Sequence, residues 1–384
     1  MVCFGIGCLS WLIVTNERFN SMSFRVLILS RYDKLGASSR LRTMQYIPHL
    51  EAMGLEITVE PLFNDAYLSS LYQSKNWLLN RVSNVTSIIS SYSKRLYIIL
   101  NSKRFDVIWL EKELFPFLPS IFESLLSKIG IPYIVDYDDA IFHNYDSHDL
   151  KIIRFFLKDK LKSLLANAYA VTAGNAYLAD YANRNGAKNI VIIPTVLDID
   201  RYSVTPEPSD EVFRIGWIGS PSSVPCLDII VESLQRVVQT RKIIFVTIGA
   251  EQLNFSGVTT EQHRWSLDTE AKLLESIHVG VMPLSDPLWD RGKCGYKLIQ
   301  YMACARTVIA SPIGVNSEIV THDVGLLASN EDSWVEAIIK LANQPELRQQ
   351  LGKAARIRVE KEFTLQVTAP RIAHLLEDAA RGQR

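Results

Sequence analysis

Short, unbroken apolar runs alternate along the chain with longer stretches of helical pattern. In the first half the short runs are FRVLILS (24–30), EITVEPL (56–62), DVIWL (106–110), PYIVDYD (132–138), AVTAG (170–174) and NIVIIP (189–194). Continuous apolarity, rather than strict alternation, is what strands covered on both faces require. Strands separated by helices imply right-handed βαβ units and a parallel sheet. A second series follows: FRIGWIGS (213–220), KIIFVTIGA (242–250), VGVMPL (279–284), TVIASPIG (307–314) and VGLLAS (324–329). Between the series lies LDIDRYSVTPEPSDE, with Pro206, Pro208 and several acids. The pattern predicts an α/β chain of two Rossmann-like, doubly wound parallel-sheet domains, 23–200 and 211–365, joined by a hinge at 201–210 and facing each other across a cleft. A last helix, 366–384, is free to cross back to the first domain.

Composition agrees with this picture and narrows it little. With 384 residues, two domains are the natural division. Hydrophobic residues at 48% and charged residues at 21% are the balance of a globular enzyme, not of a disordered chain. Lys+Arg 41 against Asp+Glu 41 leaves no global field. Nucleic acid is therefore not an expected partner, and charge has to be read locally. The five cysteines (Cys3, Cys8, Cys226, Cys294, Cys304) show no metal-binding spacing, which argues for reduced thiols in a cytoplasmic protein. The apolar run Val2–Val14 is too short to span a membrane and lacks both a preceding basic residue and a small-x-small cleavage site. The first strand follows Met22 directly, so 1–22 is expected to be a non-native or disordered extension and Met22 the native start.

In open parallel sheets ligands bind beyond the carboxyl ends of the strands, so the segments after strands carry the chemistry. One is RGKCGYKLIQYMACARTVIASPIG (291–314), where Arg291, Lys293 and Lys297 crowd the start of a helix expected near Tyr296–Ala305 that carries no acid. Gly292 and Gly295 allow close approach to its backbone, and the free N–H groups add a partial positive charge. Such a site suits a diphosphate; the plain alternative is a solvated basic loop. Gln300, about two turns in, can both give and accept hydrogen bonds, as a ribose diol requires, and is otherwise an ordinary polar helix residue. The turn GSPSS, from Gly219 and Ser220 to Ser223, can face phosphate with its N–H groups or simply cap a helix. In RYDKLGASSRLR, Gly36, Ser38, Ser39 and Arg40 form a turn into a helix, and serine capping explains them equally well.

DYDDAIFHNYD holds Asp136, Asp138, Asp139 and His143. Alternation puts Asp136 and Asp138 on one side of a strand end. An Asp-x-Asp pair can chelate a donor diphosphate through Mg²⁺ or Mn²⁺. A carboxylate there can instead take an acceptor proton or steady an oxocarbenium-like sugar, and a hydrogen-bonded acidic turn is the third possibility. The stretch 66–105 carries six cations and no acid, interleaved with aromatic and aliphatic residues. That composition suits an anionic inner-membrane surface as well as it suits a basic helix face.

The order of elements, together with KCGYKLIQYMA and SPIGVNSEIV, resembles the retaining nucleotide-sugar glycosyltransferases of family four, bacterial cell-surface polysaccharide type, with the GT-B fold. The resemblance runs from about Phe24 to near the end and is most specific over 279–329. It implies transfer of a sugar from a nucleotide-diphosphate sugar to a hydroxyl acceptor, a glycan or lipid-linked glycan, with retention. It implies no cofactor and no metal, and a cytoplasmic enzyme that can sit at the inner face of the membrane. The donor would be held by Gly219, Ser220, Arg291, Lys293, Gly295, Tyr296, Lys297 and Gln300. The acceptor-side loop would be Gly36, Ser38, Ser39 and Arg40. Asp138 falls where many members have a catalytic-site histidine, making Asp138 and Asp139 the catalytic candidates.

Departures from the family pattern fall in the donor site. Its two glutamates, separated by seven residues, are Gly292 and Gln300 here, and its Arg and Lys after the first strand of the second domain are replaced by GSPSS. Arg291 and Lys293 would then supply the missing cations. A nucleotide-sugar 2-epimerase of the same fold and a non-catalytic sugar-nucleotide-binding subunit are the alternatives. No GxGxxG follows a strand, which disfavours a dehydrogenase.

Overall fold

A computed structural model describes residues 23–67, 77–209, 211–285 and 287–382, with the side chains of 77–84 outside that description. The extension 1–22 also lies outside it. Two six-stranded parallel sheets form the frame. The first, in the order β2-β1-β3-β4-β5-β6, is built from β1 (Arg25–Leu29), β2 (Glu56–Val59), β3 (Val107–Glu111), β4 (Tyr133–Tyr137), β5 (Ala170–Ala173) and β6 (Ile190–Ile192). The second, in the order β12-β11-β10-β7-β8-β9, comprises β7 (Phe213–Ile218), β8 (Ile243–Ile248), β9 (Thr260–His263), β10 (Val279–Met282), β11 (Thr307–Ala310) and β12 (Gly325–Leu327). The apolar runs become buried central strands: every residue of β3, β4, β5, β10 and β11 is buried. Chain direction across the second sheet reverses between β7 and β10. That is the switch point where a ligand crevice opens.

Four helices shape the site and the ties between the domains: α1 (Ala37–Arg42), α2 (Trp77–Leu100), α3 (Tyr296–Ala303) and α4 (Leu365–Arg381). The last of them packs on the first sheet, where Leu365, Ile372 and Leu376 share a core with Val26, Ile28, Trp109 and Ile134. Tyr46 and Thr368 also join their hydroxyls at 2.9 Å. The chain thus passes between the domains near Leu197 and again near Thr364, and the two passages pair in parallel. Leu197 donates to the Phe363 carbonyl at 3.1 Å, and Leu365 to the Leu197 carbonyl at 3.0 Å. Within the expected hinge, residues 205–208 are bound to the second domain. Arg306 donates to the carbonyls of Thr205 and Pro206, Arg348 pairs with Glu207 at 2.8 Å, and His278 meets the Pro208 carbonyl.

Candidate functional site

The site lies where the segments after β7 and β10 face those after β3 and β4. Gly295, at φ +68°, starts α3 in a conformation that glycine adopts without strain, and a side chain there would run into Ile319. Two residues on, Lys297 projects toward the end of β7. Its ammonium lies 4.4 Å from the centre of the Trp217 ring and 3.2 Å from the Ser223 hydroxyl. A Cβ on Gly219 would come within 2.6 Å of it, so a side chain there would displace this lysine. Burial pulls the Lys297 pKa down to about 7. The cation beside GSPSS is therefore Lys297. This corrects the expectation that Arg291 and Lys293 replace the missing charges there. Arg291 ends the short helix Leu288–Arg291 and is exposed.

Lys293 points instead at the first domain. It pairs with Asp139 at 3.1 Å. Burial works against its charge, but Asp139 outweighs burial and raises its pKa. The segment around it is docked on the same surface. Asn175 donates to the Lys293 carbonyl at 3.0 Å, and the Cys294 thiol to the Asp138 carbonyl at 3.1 Å. Gly292 lies directly on Ala140: a Cβ there would be 2.6 Å from the Ala140 Cβ and 2.7 Å from its backbone nitrogen. The ligand ends of the two sheets are thus in contact through residues 292–294.

On the first-domain side Lys112, at φ +65°, is buried at the end of β3. It pairs with Asp138 at 3.0 Å, lies 3.9 Å from Asp139 and donates to Ser38 at 2.9 Å. Burial opposes ionisation of Asp138, but Lys112, with Arg42 behind it, more than offsets this and holds its pKa below the ordinary value. Asp136 does not join Asp138 as a chelating pair: it is buried in a two-bond pair with Arg42, at 2.9 and 2.7 Å, and accepts from Thr172. Among the described residues no group of three or more His, Cys, Asp or Glu is placed to hold a metal ion. His143 is bound to Asp146 and Tyr177.

Two further expectations need correcting. Gln300 is 3% exposed, and its amide donates to the Tyr202 hydroxyl at 3.1 Å, so it is committed inside the second domain rather than offered to a ribose. Tyr202 continues to the buried Glu270, which also accepts from Trp265 at 2.7 Å. Ser39 is buried and serves the fold: it donates to Glu111 at 2.6 Å and accepts from the Tyr32 N–H. Gly36 packs against Tyr32. Arg40 crosses the cleft and stacks 4.8 Å from the Trp265 ring. Tyr296 lies close enough to Tyr202 to share its hydrogen bonding. Sequence reasoning missed Lys112 and Trp265. Only the position of Lys112 after a strand could have marked it.

Within 66–105, residues 68–76 lie outside the described part. Arg95 is not a surface cation: it is buried and donates to the Ser30 and Glu60 carbonyls. Lys94 pairs with Glu60, while Lys103 and Arg104 are exposed. No described helix is long and apolar enough to cross a membrane.

Comparison with known proteins bears on the fold and on the second domain. Residues 212–344 match the family model of the glycosyl transferases group 1. No curated protein sequence matches the chain. HepE from Anabaena, solved with UDP-glucose, superimposes with a TM-score of 0.67 at 15% identity, over 92% of this chain and 100% of that one. Sucrose-phosphate synthase from Thermosynechococcus elongatus gives 0.63 at 13% identity, over 94% and 100%. A glycosyltransferase from Rickettsia africae gives 0.65 at 14%, over 93% and 98%. The fold is GT-B. At these identities the likeness to solved structures establishes the fold, and the group 1 match places residues 212–344 with glycosyl transferase domains.

Proposed function

We propose that the protein transfers a sugar from a nucleoside-diphosphate sugar to a hydroxyl acceptor, with retention of anomeric configuration. The observation that carries this is Lys297. A lysine with a depressed pKa, set between the end of β7 and the start of α3, suits a diphosphate. The anion restores the ammonium, and the growing charge of the leaving diphosphate strengthens the contact as the glycosidic bond breaks. Lys293 is close enough to Lys297 to oppose its charge. Donor entry requires the 292–294 contact to open, and Lys293 then exchanges Asp139 for phosphate. Asp138, kept ionised by Lys112, is a poor proton acceptor and a good electrostatic partner for an oxocarbenium-like sugar, which leaves the acceptor proton to Asp139. The acceptor is a glycan or lipid-linked glycan of cell-surface polysaccharide type. The enzyme works in the cytoplasm at the inner face of the membrane, using cations of 66–105 other than Arg95.

The packing of Gly292 on Ala140 favours one rival, a subunit that binds nucleotide sugar without turning it over, because no side chain fits where the family carries a glutamate. Calorimetry with UDP, GDP and their sugars, followed by assay of diphosphate release in EDTA, separates the readings. Binding with acceptor-dependent release is expected. Binding without release supports the subunit, and no binding to any nucleoside diphosphate ends both readings.

A further inference from the structure

Four connections, β2 to β3, β3 to β4, β4 to β5 and β5 to β6, step the same way across the first sheet, and right-handed crossovers lay them on one face. Their inner sides share one core, with Ile99, Leu126 and Leu164 packed over Leu27, Ile108 and Val135. The outer side of the third connection is unusual. Its helix, Lys151–Leu157, and the residue before it present Leu150, Ile152, Phe155 and Phe156 at 57, 66, 76 and 67% exposure. The two phenylalanine rings stand perpendicular at 5.0 Å. Arg154 braces the start of the helix by donating to the carbonyls of His148 and Asp149. Ile121 and Phe117 are also exposed, and Phe117 rests on Tyr145 of His143–Asp146, the helix that packs against Lys151–Leu157. Contiguous exposed apolar surface of this kind marks an interaction site.

Charge points to the partner. Over 120–162 the exposed cations are Lys128, Lys151, Lys158 and Lys162, and the exposed acids are Asp149 and Asp159 alone. Apolar tips set among lysines, whose stems can lie along an interface while their ammonium groups reach outward, match a surface that is apolar within and anionic at its boundary.

We infer that this ridge docks on an anionic phospholipid bilayer, with Leu150, Ile152, Phe155 and Phe156 entering the acyl boundary and the lysines meeting the headgroups. The ridge follows β4, whose carboxyl end carries Asp138 and Asp139, so docking sets the acceptor side of the cleft beside the membrane. The inference rests on the proposed function for its purpose but not for its surface, which is distinct from α2.

The test is co-sedimentation of the full chain with vesicles of phosphatidylglycerol and phosphatidylcholine, and with phosphatidylcholine alone. Binding to the mixed vesicles is expected, falling at least tenfold in Phe155→Ser/Phe156→Ser and with rising salt in the wild type, while UDP binding and the melting temperature of the variant stay unchanged. As a second measurement, Phe155→Trp should be quenched by brominated lipid. Absence of quenching overturns the proposal even if the chain sediments by another route. So does a wild type left in the supernatant, or a self-association in light scattering that the double substitution abolishes. Loss of UDP binding in the wild type would instead count against the transferase reading alone.

Discussion

At the scale of single residues, Lys297 makes the sharpest prediction. It is half-buried beside Trp217, and desolvation pulls its pKa down to about 7 from an ordinary value of 10.5. A bound diphosphate favours the ammonium, so above pH 7 binding takes up a proton and affinity falls as pH rises from 7 toward 9. Calorimetry at pH 8 in buffers of different ionisation enthalpy should show this uptake in the wild type and none in Lys297→Met, which also loses about 1.5–3 kcal/mol of UDP affinity. Stability should move the other way. Between pH 7 and 10.5 the unfolded chain holds the proton that folded Lys297 gives up, so this residue's penalty deepens as pH falls and is complete below 7. Lys297→Met should therefore raise the melting temperature most below pH 7, with the gain fading toward pH 10. The sequence placed the three cations of 291–297 at a helix start but could not divide them, because the division depends on neighbours remote in sequence: Trp217 and Ser223 for Lys297, Asp139 for Lys293. Asp136 was ambiguous for the same reason, since its partner Arg42 lies on α1.

At the scale of elements, every strand but β9 was legible as an apolar run, including the partly exposed β2, β6 and β12. The strand β9, Thr-Glu-Gln-His, is a half-exposed sheet edge, and its composition carries no apolar signal. The start of α3 was legible through Gly295, but Gln300 was misjudged. A polar residue in a helix reads as solvent-facing unless a buried partner such as Tyr202 is known. The segment before α3 offers its own test. Gly292 has no room for a Cβ against Ala140, whose obstruction includes backbone and cannot rotate away. The variants Gly292→Ala and Gly292→Glu should therefore hold the domains apart without harming either. Small-angle scattering should show a larger radius of gyration than the wild type in the absence of donor, with each domain's melting preserved. A radius equal to the wild type would mean that the 292–294 contact does not set the closed arrangement.

At the scale of the whole molecule, the domain that α4 belongs to decides how the two halves are coupled. By sequence position it follows the second domain, yet its apolar side completes the core of the first. Two passages side by side at Leu197 and Thr364 tie the halves more firmly than one linker would, and they allow rotation about a single paired point. That pairing, and not the proline-rich 205–208, is where motion between the domains should be absorbed. The membership of α4 is testable through Leu376, which is 1% exposed. Truncating a buried leucine leaves a cavity and costs about 2–5 kcal/mol. That is a large share of the roughly 5–15 kcal/mol that typically stabilises a folded protein. The Leu376→Ala variant should lower the calorimetric transition of the first domain and leave the second, identified by its shift with UDP, where it was. If the UDP-sensitive transition falls instead, α4 stabilises the domain it follows in sequence, and the closing motion must pivot elsewhere.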